Sequence, residues 1–420
     1  MEKLLIFNGG KTKDPDFDLD RLAAELRQRL DYMHSLSVED IMDFFDELIN
    51  YWDKADLSKE HPYLKNLSDF FCKKNLSIKL KIALHNNYFA LDEFVDLGDD
   101  KMLFHAQPRG LTCHWLAGNV PTLALFSIFI SLVTKNVCLA KASPKSYDEL
   151  LLFLETFKFV KTKKIDGEEF IKSVAVILIE NNDRDMQEKL SLLADARIAW
   201  GGEDAVAAIT GLKKNLFCED IVFGPKYSYA IIDKESVEKD SKKLAQKLAI
   251  DVSVFDQYAC SSPHTVFLQK NAQAFAEELA KQLELVNRML LPKGKIDPAK
   301  SAEIISLRSE YELKGRVFSS KGTEWTVIYS EEPGLAKGCF SRVIFVKPID
   351  DLEKIKDYND RQKQTLGLGF TKENKLKYLD QITLRGIDRC PDIGFLTFYE
   401  SPWDGMFVFD RLVRWVTMHK

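Results

Sequence analysis

Between Arg109 and Lys135 the chain carries no Asp, Glu, Lys or Arg. A run of that kind either crosses a membrane or is buried in a protein core, because the surface of a water-soluble fold is interrupted by charge every few residues. Gly118, Asn119 and Pro121 break it. The uninterrupted part that follows, 123–133, is shorter than the roughly 20 apolar residues a membrane-spanning helix needs. The run therefore reads as a buried strand (111–117), a turn, and a buried helix (121–134) with its proline in the first turn, where a missing N–H is tolerated.

Beyond this run, short apolar stretches alternate with longer ones of helical period. Strands are expected at 137–141, 173–180 (SVAVILIE) and 197–200, and helices at 147–160, 186–193 and, directly after Gly201 and Gly202, 203–212. Strands alternating with helices require right-handed crossovers, so the expected architecture is α/β, a parallel doubly wound sheet of Rossmann type. Residues 223–233 read as the last pair of strands of that sheet, before a helix at 236–249. In the first hundred residues, apolar positions at three- and four-residue spacing in 19–30 and 38–52 predict helices. The mixed pattern resumes in the second half, with strands at 265–268, 325–329, 342–346 and 364–368, a helix at 272–289 and a last helix at 407–418. The expected organisation is a helical N-terminal part over 1–100 belonging to the nucleotide-binding domain, that domain over 101–235, a second α/β domain over 236–405, and a C-terminal helix over 406–420.

A chain of 420 residues exceeds what one core supports. Its 59 Lys and Arg against 64 Asp and Glu leave a formal net charge of −5, so no long-range positive field favours nucleic acid. The one basic knot, KTKK at 161–164, reads as a solvated loop. The 7 cysteines are odd in number, scattered and never in CxxC spacing. Neither a disulfide framework nor a metal knuckle is visible, and a reducing, cytoplasmic location with no metal is expected. The first residues, MEKLLIFNGGKTKD, lack a long apolar stretch ahead of their charges, so no signal peptide is expected.

Two places have the residue types for chemistry. In RIAWGGEDAVAAI a strand meets a Gly-Gly turn and then a helix N-terminus, whose free N–H groups and dipole suit a phosphate. The spacing is not GxGxxG, and a ligand-free strand-to-helix turn has the same pattern. In DVSVFDQYACSSPHTVFL, Cys260 lies among small residues before a strand, readable either as a nucleophile or as an inert packing thiol. His264, at a strand entry, reads as a packing histidine in preference to a base for that thiol.

HWLAGNVPTLALFSIFISLVTKNVCLAKAS, RIAWGGEDAV, FDQYACSSPHTVF, QTLGL and SPWDGMF follow one another in an order and spacing that resembles the LuxC-type acyl-CoA reductases, the fatty acid reductase component of bacterial luminescence systems, within the aldehyde dehydrogenase superfamily. The resemblance extends from about Phe104 to the C-terminus. It implies an aldehyde-dehydrogenase-like fold whose second domain carries a nucleophilic cysteine, here Cys260, and in which a side-chain amide, here Asn119 of GNVP, and the Cys260 backbone N–H receive the oxyanion. Lys141 matches a lysine that contacts the adenosine ribose, with Ser143 beside it, and Trp200, Gly201, Gly202 and Glu203 match the phosphate-side turn. NAD-preferring relatives carry a glutamate three residues after that lysine. Here Pro144 stands there, followed by Lys145, a combination that no longer repels a 2′-phosphate and so favours NADPH.

Aldehyde-oxidising members of the superfamily also carry a general-base glutamate that hydrolyses the thioester. VFGPK (222–226) laid against that segment puts Val222 at the base, which implies that water is not activated and that the reaction runs from acyl thioester to aldehyde. The resemblance leaves the acyl donor open between acyl-CoA and an acyl-adenylate supplied by an acyl-protein synthetase partner, and it implies a homo-oligomer. A short-chain CoA-acylating aldehyde dehydrogenase and a non-catalytic acyl-carrying subunit share the same nucleophile. The 28 phenylalanines are compatible with an acyl tunnel and equally with an aromatic core.

Overall fold

The strand and the helix of the uncharged run lie inside the protein. In the computed structural model, which describes residues 3–120 and 122–420, the strand Leu111–Trp115 and the helix Leu123–Val133 are buried at every position. A helix covered on all sides is apolar on all sides. Pro121, expected in its first turn, lies outside the described residues. No described helix is long and apolar enough to cross a membrane.

The chain divides into two units, one running to Gly224 and completed by Tyr399–Lys420, the other formed by Pro225–Phe398. The first contains β1 (Leu4–Asn8), β2 (Lys11–Asp14), β3 (Met102–Pro108), β4 (Leu111–Trp115), β5 (Val137–Lys141), β6 (Val174–Leu178), β7 (Ala196–Trp200) and β8 (Glu219–Phe223). All but β3 form one sheet in the order β2-β1-β6-β5-β4-β7-β8. From β6 to β8 the strands are parallel, and the antiparallel β1 extends the β6 edge. Successive strands step outward from β4 to β6 and restart on the other side of β4 with β7 and β8, so the order reverses between β4 and β7. Strands β4 to β7 are buried at every residue, which is why they read as continuous apolar runs without alternation. The helices of the first hundred residues bring Phe44, Phe45 and Trp52 against Phe129 and Phe170, with Phe45 and Phe129 ring centroids 4.7 Å apart. These phenylalanines are core.

The second unit holds β9 (Tyr227–Ile232), β10 (Pro263–Leu268), β11 (Arg316–Ser319), β12 (Thr326–Tyr329), β13 (Val343–Pro348) and β14 (Lys363–Gly369), ordered β11-β12-β13-β10-β9-β14. All pairs are parallel except β11 with β12. Helices Lys234–Ser253 and Ala272–Met289 cover one face around Val266, Leu268 and Ile344; Ile355 and Ile382 lie over the other.

Three expectations are corrected. The strands expected as a pair in 223–233 belong to different sheets: β8 pairs with β7, whereas β9 pairs with β10 and β14, and the division falls at Gly224 and Pro225 instead of after 235. Both strands are short and apolar, and nothing in either says which sheet will cover it. The C-terminal helix is one turn, Val408–Arg411, followed by β15 (Val413–His419), which pairs antiparallel with β3 from Val413 opposite Pro108 to His419 opposite Met102. VRWVTMH is rich in β-branched and aromatic residues, a strand composition that acquires a partner only when β3 is recognised. The first hundred residues, expected as helical, also begin with the β1–β2 hairpin.

Candidate active site

At the carboxyl ends of β4, β5 and β7, where the strand order of the first sheet reverses, lies a cavity of about 670 Å³. Lys141, the last residue of β5, reaches its wall. It is buried, its Nζ donates to Asn181 Oδ1 at 2.9 Å, and burial holds its pKa below the usual lysine value. Ser143 and Pro144 continue the wall, and Gly118 faces them so closely that a Cβ there would lie 2.3 Å from Ser143 Oγ. The backbone at Gly118 can approach Ser143 only because it bears no side chain.

On the opposite side β7 ends at Trp200, whose Nε1 donates to Ser127 Oγ at 2.9 Å and whose ring stacks on Phe223 at 3.7 Å. Gly201 and Gly202 then lead into the helix Glu203–Thr210, with Gly202 as its cap. Apart from its chain neighbours, nothing lies within 4 Å of where a Gly202 Cβ would be, and no side chain caps the helix, so the cap leaves its first N–H groups without a side-chain acceptor. The turn is held from below by Arg197 in β7. Buried to 2% exposure, Arg197 donates to Asp220 Oδ1 at 2.6 Å and to the Ile209 and Leu212 carbonyls at the far end of that helix. Lys141 and Arg184 place positive charge on one side of the cavity and Asp204 places negative charge on the other.

In the second unit the helix Lys234–Ser253 runs into a turn where Phe255, Asp256 and Gln257 all have positive φ. Gln257, fully buried, ties that turn down: its Nε2 donates to the Pro263 and Val343 carbonyls at 2.7 and 2.9 Å, and its Oε1 accepts from the Val343 N–H. Cys260 follows, half-buried, ahead of β10. Its carbonyl accepts from Ser228 Oγ at 2.7 Å, and its Sγ accepts from Gln364 Nε2 at 3.3 Å. The thiols of Cys113, Cys138, Cys218, Cys339 and Cys390 are all pushed above the usual thiol pKa by burial, Cys138 and Cys390 to about 12. His264 is the packing histidine expected: burial pushes its pKa down to about 4, and its ring lies edge-on to Phe340 at 4.9 Å.

Of the residues singled out from sequence, Lys141, Ser143, Trp200, Gly201 and Gly202 line the first-unit cavity. Lys145 and Glu203 are exposed next to it, Lys145 donating its backbone N–H to Ser143 Oγ at 3.3 Å. Asn119 is exposed in the turn after β4, and Val222 is half-buried in β8 opposite Ala199. Sequence reasoning missed Asn181, Arg184 and Gln187 on the cavity wall, and Gln364 at the cysteine. The first three follow β6 at the carboxyl edge of a parallel sheet, where ligands gather, which was the available signal. Gln364 lies a hundred residues from Cys260 and no local pattern links them.

Two parallel-sheet units, one with a cavity at its strand-order reversal and the other with a cysteine on a constrained turn, define an aldehyde-dehydrogenase-like α/β protein. Solved structures agree in fold: aldehyde dehydrogenase 21 from Physcomitrella patens in complex with the reaction product succinate matches with a TM-score of 0.71 at 13% identity, covering 100% of this chain and 95% of that one. An aldehyde dehydrogenase from Bartonella henselae matches at 0.61 and 12%, covering 99% and 95%. Within this class the chain belongs to the acyl-CoA reductase (LuxC) family, whose model matches residues 33–415. It is similar to the long-chain acyl-protein thioester reductases of Aliivibrio fischeri, 27% identical over an alignment of 408 residues, with 91% of this chain and 82% of that protein covered, and of Vibrio harveyi, 26% identical over 413, with 92% and 84% covered. The chain is thus an acyl reductase, an oxidoreductase acting on fatty acyl groups.

Proposed function

We propose that this protein reduces a long-chain fatty acyl thioester to the aldehyde through an acyl-enzyme on Cys260, with NADPH as reductant. The observation that carries the reading is the setting of Cys260, a partly exposed sulfur on a fixed turn with an amide N–H directed at it. Sγ attacks the acyl carbonyl, the donor's thiolate leaves, and the chain is held as a thioester. Asn119 and the Cys260 backbone N–H are the donors assigned to the oxyanion in this step and in the reduction that follows. Reduced dinucleotide, when bound, supplies hydride to the thioester carbon. Release of the aldehyde returns Sγ as thiolate.

The first-unit cavity fits such a cofactor. It lies at a doubly wound switch point, the helix after its Gly-Gly turn has no side-chain cap, and Gly118 and Ser143 line the wall in close approach. Lys141 is the residue proposed to bind the ribose, and Lys145, with Arg184, to attract a 2′-phosphate. With Val222 at the position of the oxidative enzymes' base, the side chain there has no carboxylate to activate water against the thioester. The names of the relatives favour an acyl group presented on a protein thioester, which an acyl-protein synthetase partner would provide. Intact-mass analysis after incubation with long-chain acyl-CoA tests the reading. A thioester adduct that forms without NADPH and disappears when NADPH is added is expected; an unmodified chain, or an adduct indifferent to cofactor, would refute it.

A further inference from the structure

Gln364, the second residue of β14, is fully buried, and its side chain is oriented by its neighbours. Arg389 Nη1 donates to Thr365 Oγ1 at 3.3 Å. A guanidinium can only donate, so the single hydroxyl proton of Thr365 is free to go elsewhere, and it is directed at Gln364 Oε1, 3.2 Å away. That bond identifies the oxygen end of the amide and turns the NH₂ toward Cys260 Sγ at 3.3 Å. Arg389 is itself buried and anchored on the Leu396 and Phe398 carbonyls at 3.3 and 2.9 Å. A permanent cation therefore stands at one end of a chain of three hydrogen bonds, each polarising the next, and a sulfur stands at the other.

We infer that Gln364 is the residue that holds the Cys260 sulfur as an anion, and that Thr365 and Arg389 orient and polarise its amide for that task. The inference rests on the reading of Cys260 as nucleophile and adds which donor maintains the thiolate. A hydrogen bond to a charged acceptor is stronger than one to its neutral form, so the amide favours thiolate over thiol. The same donor must let go or lengthen as Sγ becomes a neutral thioester, and it is again available when the aldehyde leaves. Ser228 contributes from the backbone side: its Oγ donates to the Cys260 carbonyl and accepts the Thr365 N–H at 3.2 Å, so the two residues are fixed to one hydroxyl.

The test is the pH dependence of Cys260 alkylation by iodoacetamide in the full chain, followed by mass spectrometry of the Cys260 peptide. Gln364→Met keeps volume and removes the donor; the alkylation midpoint should rise by about one pH unit, a roughly tenfold slower reaction below the midpoint. Gln364→Glu replaces the donor by a carboxylate and should raise it further. Thr365→Val removes the orienting hydroxyl and should give a smaller rise in the same direction. If both Gln364 variants, with the parent's thermal transition, keep the parent midpoint, the inference is overturned. A shift with Gln364→Met and none with Thr365→Val overturns the part assigned to Thr365 and Arg389. Should Gln364→Met fail to fold, Gln364→Glu and Thr365→Val carry the same decision. Alkylation needs no acyl substrate, so its outcome is separate from that of the proposed reaction: a Cys260→Ala protein that still became acylated would end the nucleophile reading and leave the midpoint result standing.

Discussion

Arg342 donates from Nε to Asp256 Oδ1 at 2.6 Å, and each of the two residues sits in a run of three consecutive residues with positive φ, 255–257 and 340–342. Non-glycine residues seldom adopt that conformation and then singly, so two such runs side by side persist only because surrounding contacts over-determine them. The ion pair and the Gln257 bonds to Val343 supply those contacts, and the turn they hold leads directly to Cys260. Strain of this kind keeps a reacting atom in one place.

Asp256→Ala should lower stability by about 2 kcal/mol, less than the full loss of a buried pair because the Asp256 side chain is partly exposed while Arg342 is left buried without its countercharge. Urea unfolding measures it. An unchanged midpoint would show that Gln257 alone secures the turn.

Asp251 predicts a pH effect. It is buried, accepts from the Gly394 and Leu396 N–H groups at 2.6 and 3.2 Å, and burial pushes its pKa up to about 7 despite those bonds and the nearby Lys247 and Arg389. The native state thus holds this proton more tightly than the unfolded chain, whose carboxyl titrates near 3.8. The contribution favouring the fold is complete below the unfolded value, declines as pH rises from about 4, and is lost above about 7. Asp251→Asn should remove this slope, so that stability plotted against pH from 4 to 8 falls less than in the parent by a few kcal/mol. Parallel curves would contradict the assignment.

Asn119→Ala should slow single-turnover aldehyde formation by roughly 10² to 10³, the usual effect of losing one oxyanion donor, with NADPH affinity nearly unchanged. Collapse of cofactor binding with normal chemistry in the bound fraction would make Asn119 a turn residue instead.

NADPH should exceed NADH in kcat/KM, and Lys145→Glu should reverse much of the preference by placing a carboxylate near the 2′-phosphate. Lys145 is exposed, so folding should not be disturbed. Equal use of both cofactors by the parent would dispose of this reading of Pro144 and Lys145.

Val222→Glu should shorten the life of the acyl-enzyme in the absence of cofactor, by up to roughly 10² to 10³ as the pH rises and the new carboxyl ionises. Val222 is half-buried in the edge strand β8, a position more tolerant of a carboxylate than the fully buried strands beside it. Decay that stays at the parent rate from neutral to alkaline pH in a folded variant would mean that VFGPK does not correspond to the base-bearing segment.

By itself the sequence determined the α/β class, because β4 to β7 are short runs buried on both faces and their apolar composition is visible without a structure. It also determined the elements that end at the cavity: Val137–Lys141 was readable to the residue, and the Gly-Gly turn after Trp200 announces a strand-to-helix junction. Tertiary structure alone decided which sheet receives a strand, as β8 and β9 show, and whether VRWVTMH is helix or strand, since β15 exists through its pairing with β3. It alone brought Arg389, Thr365 and Gln364 into line behind Cys260. Periodicity records how a segment meets a core, a local property. Pairing partners and hydrogen-bond chains are set by chain-distant neighbours, and their energies appear only when the fold has brought those neighbours within about 3 Å of one another.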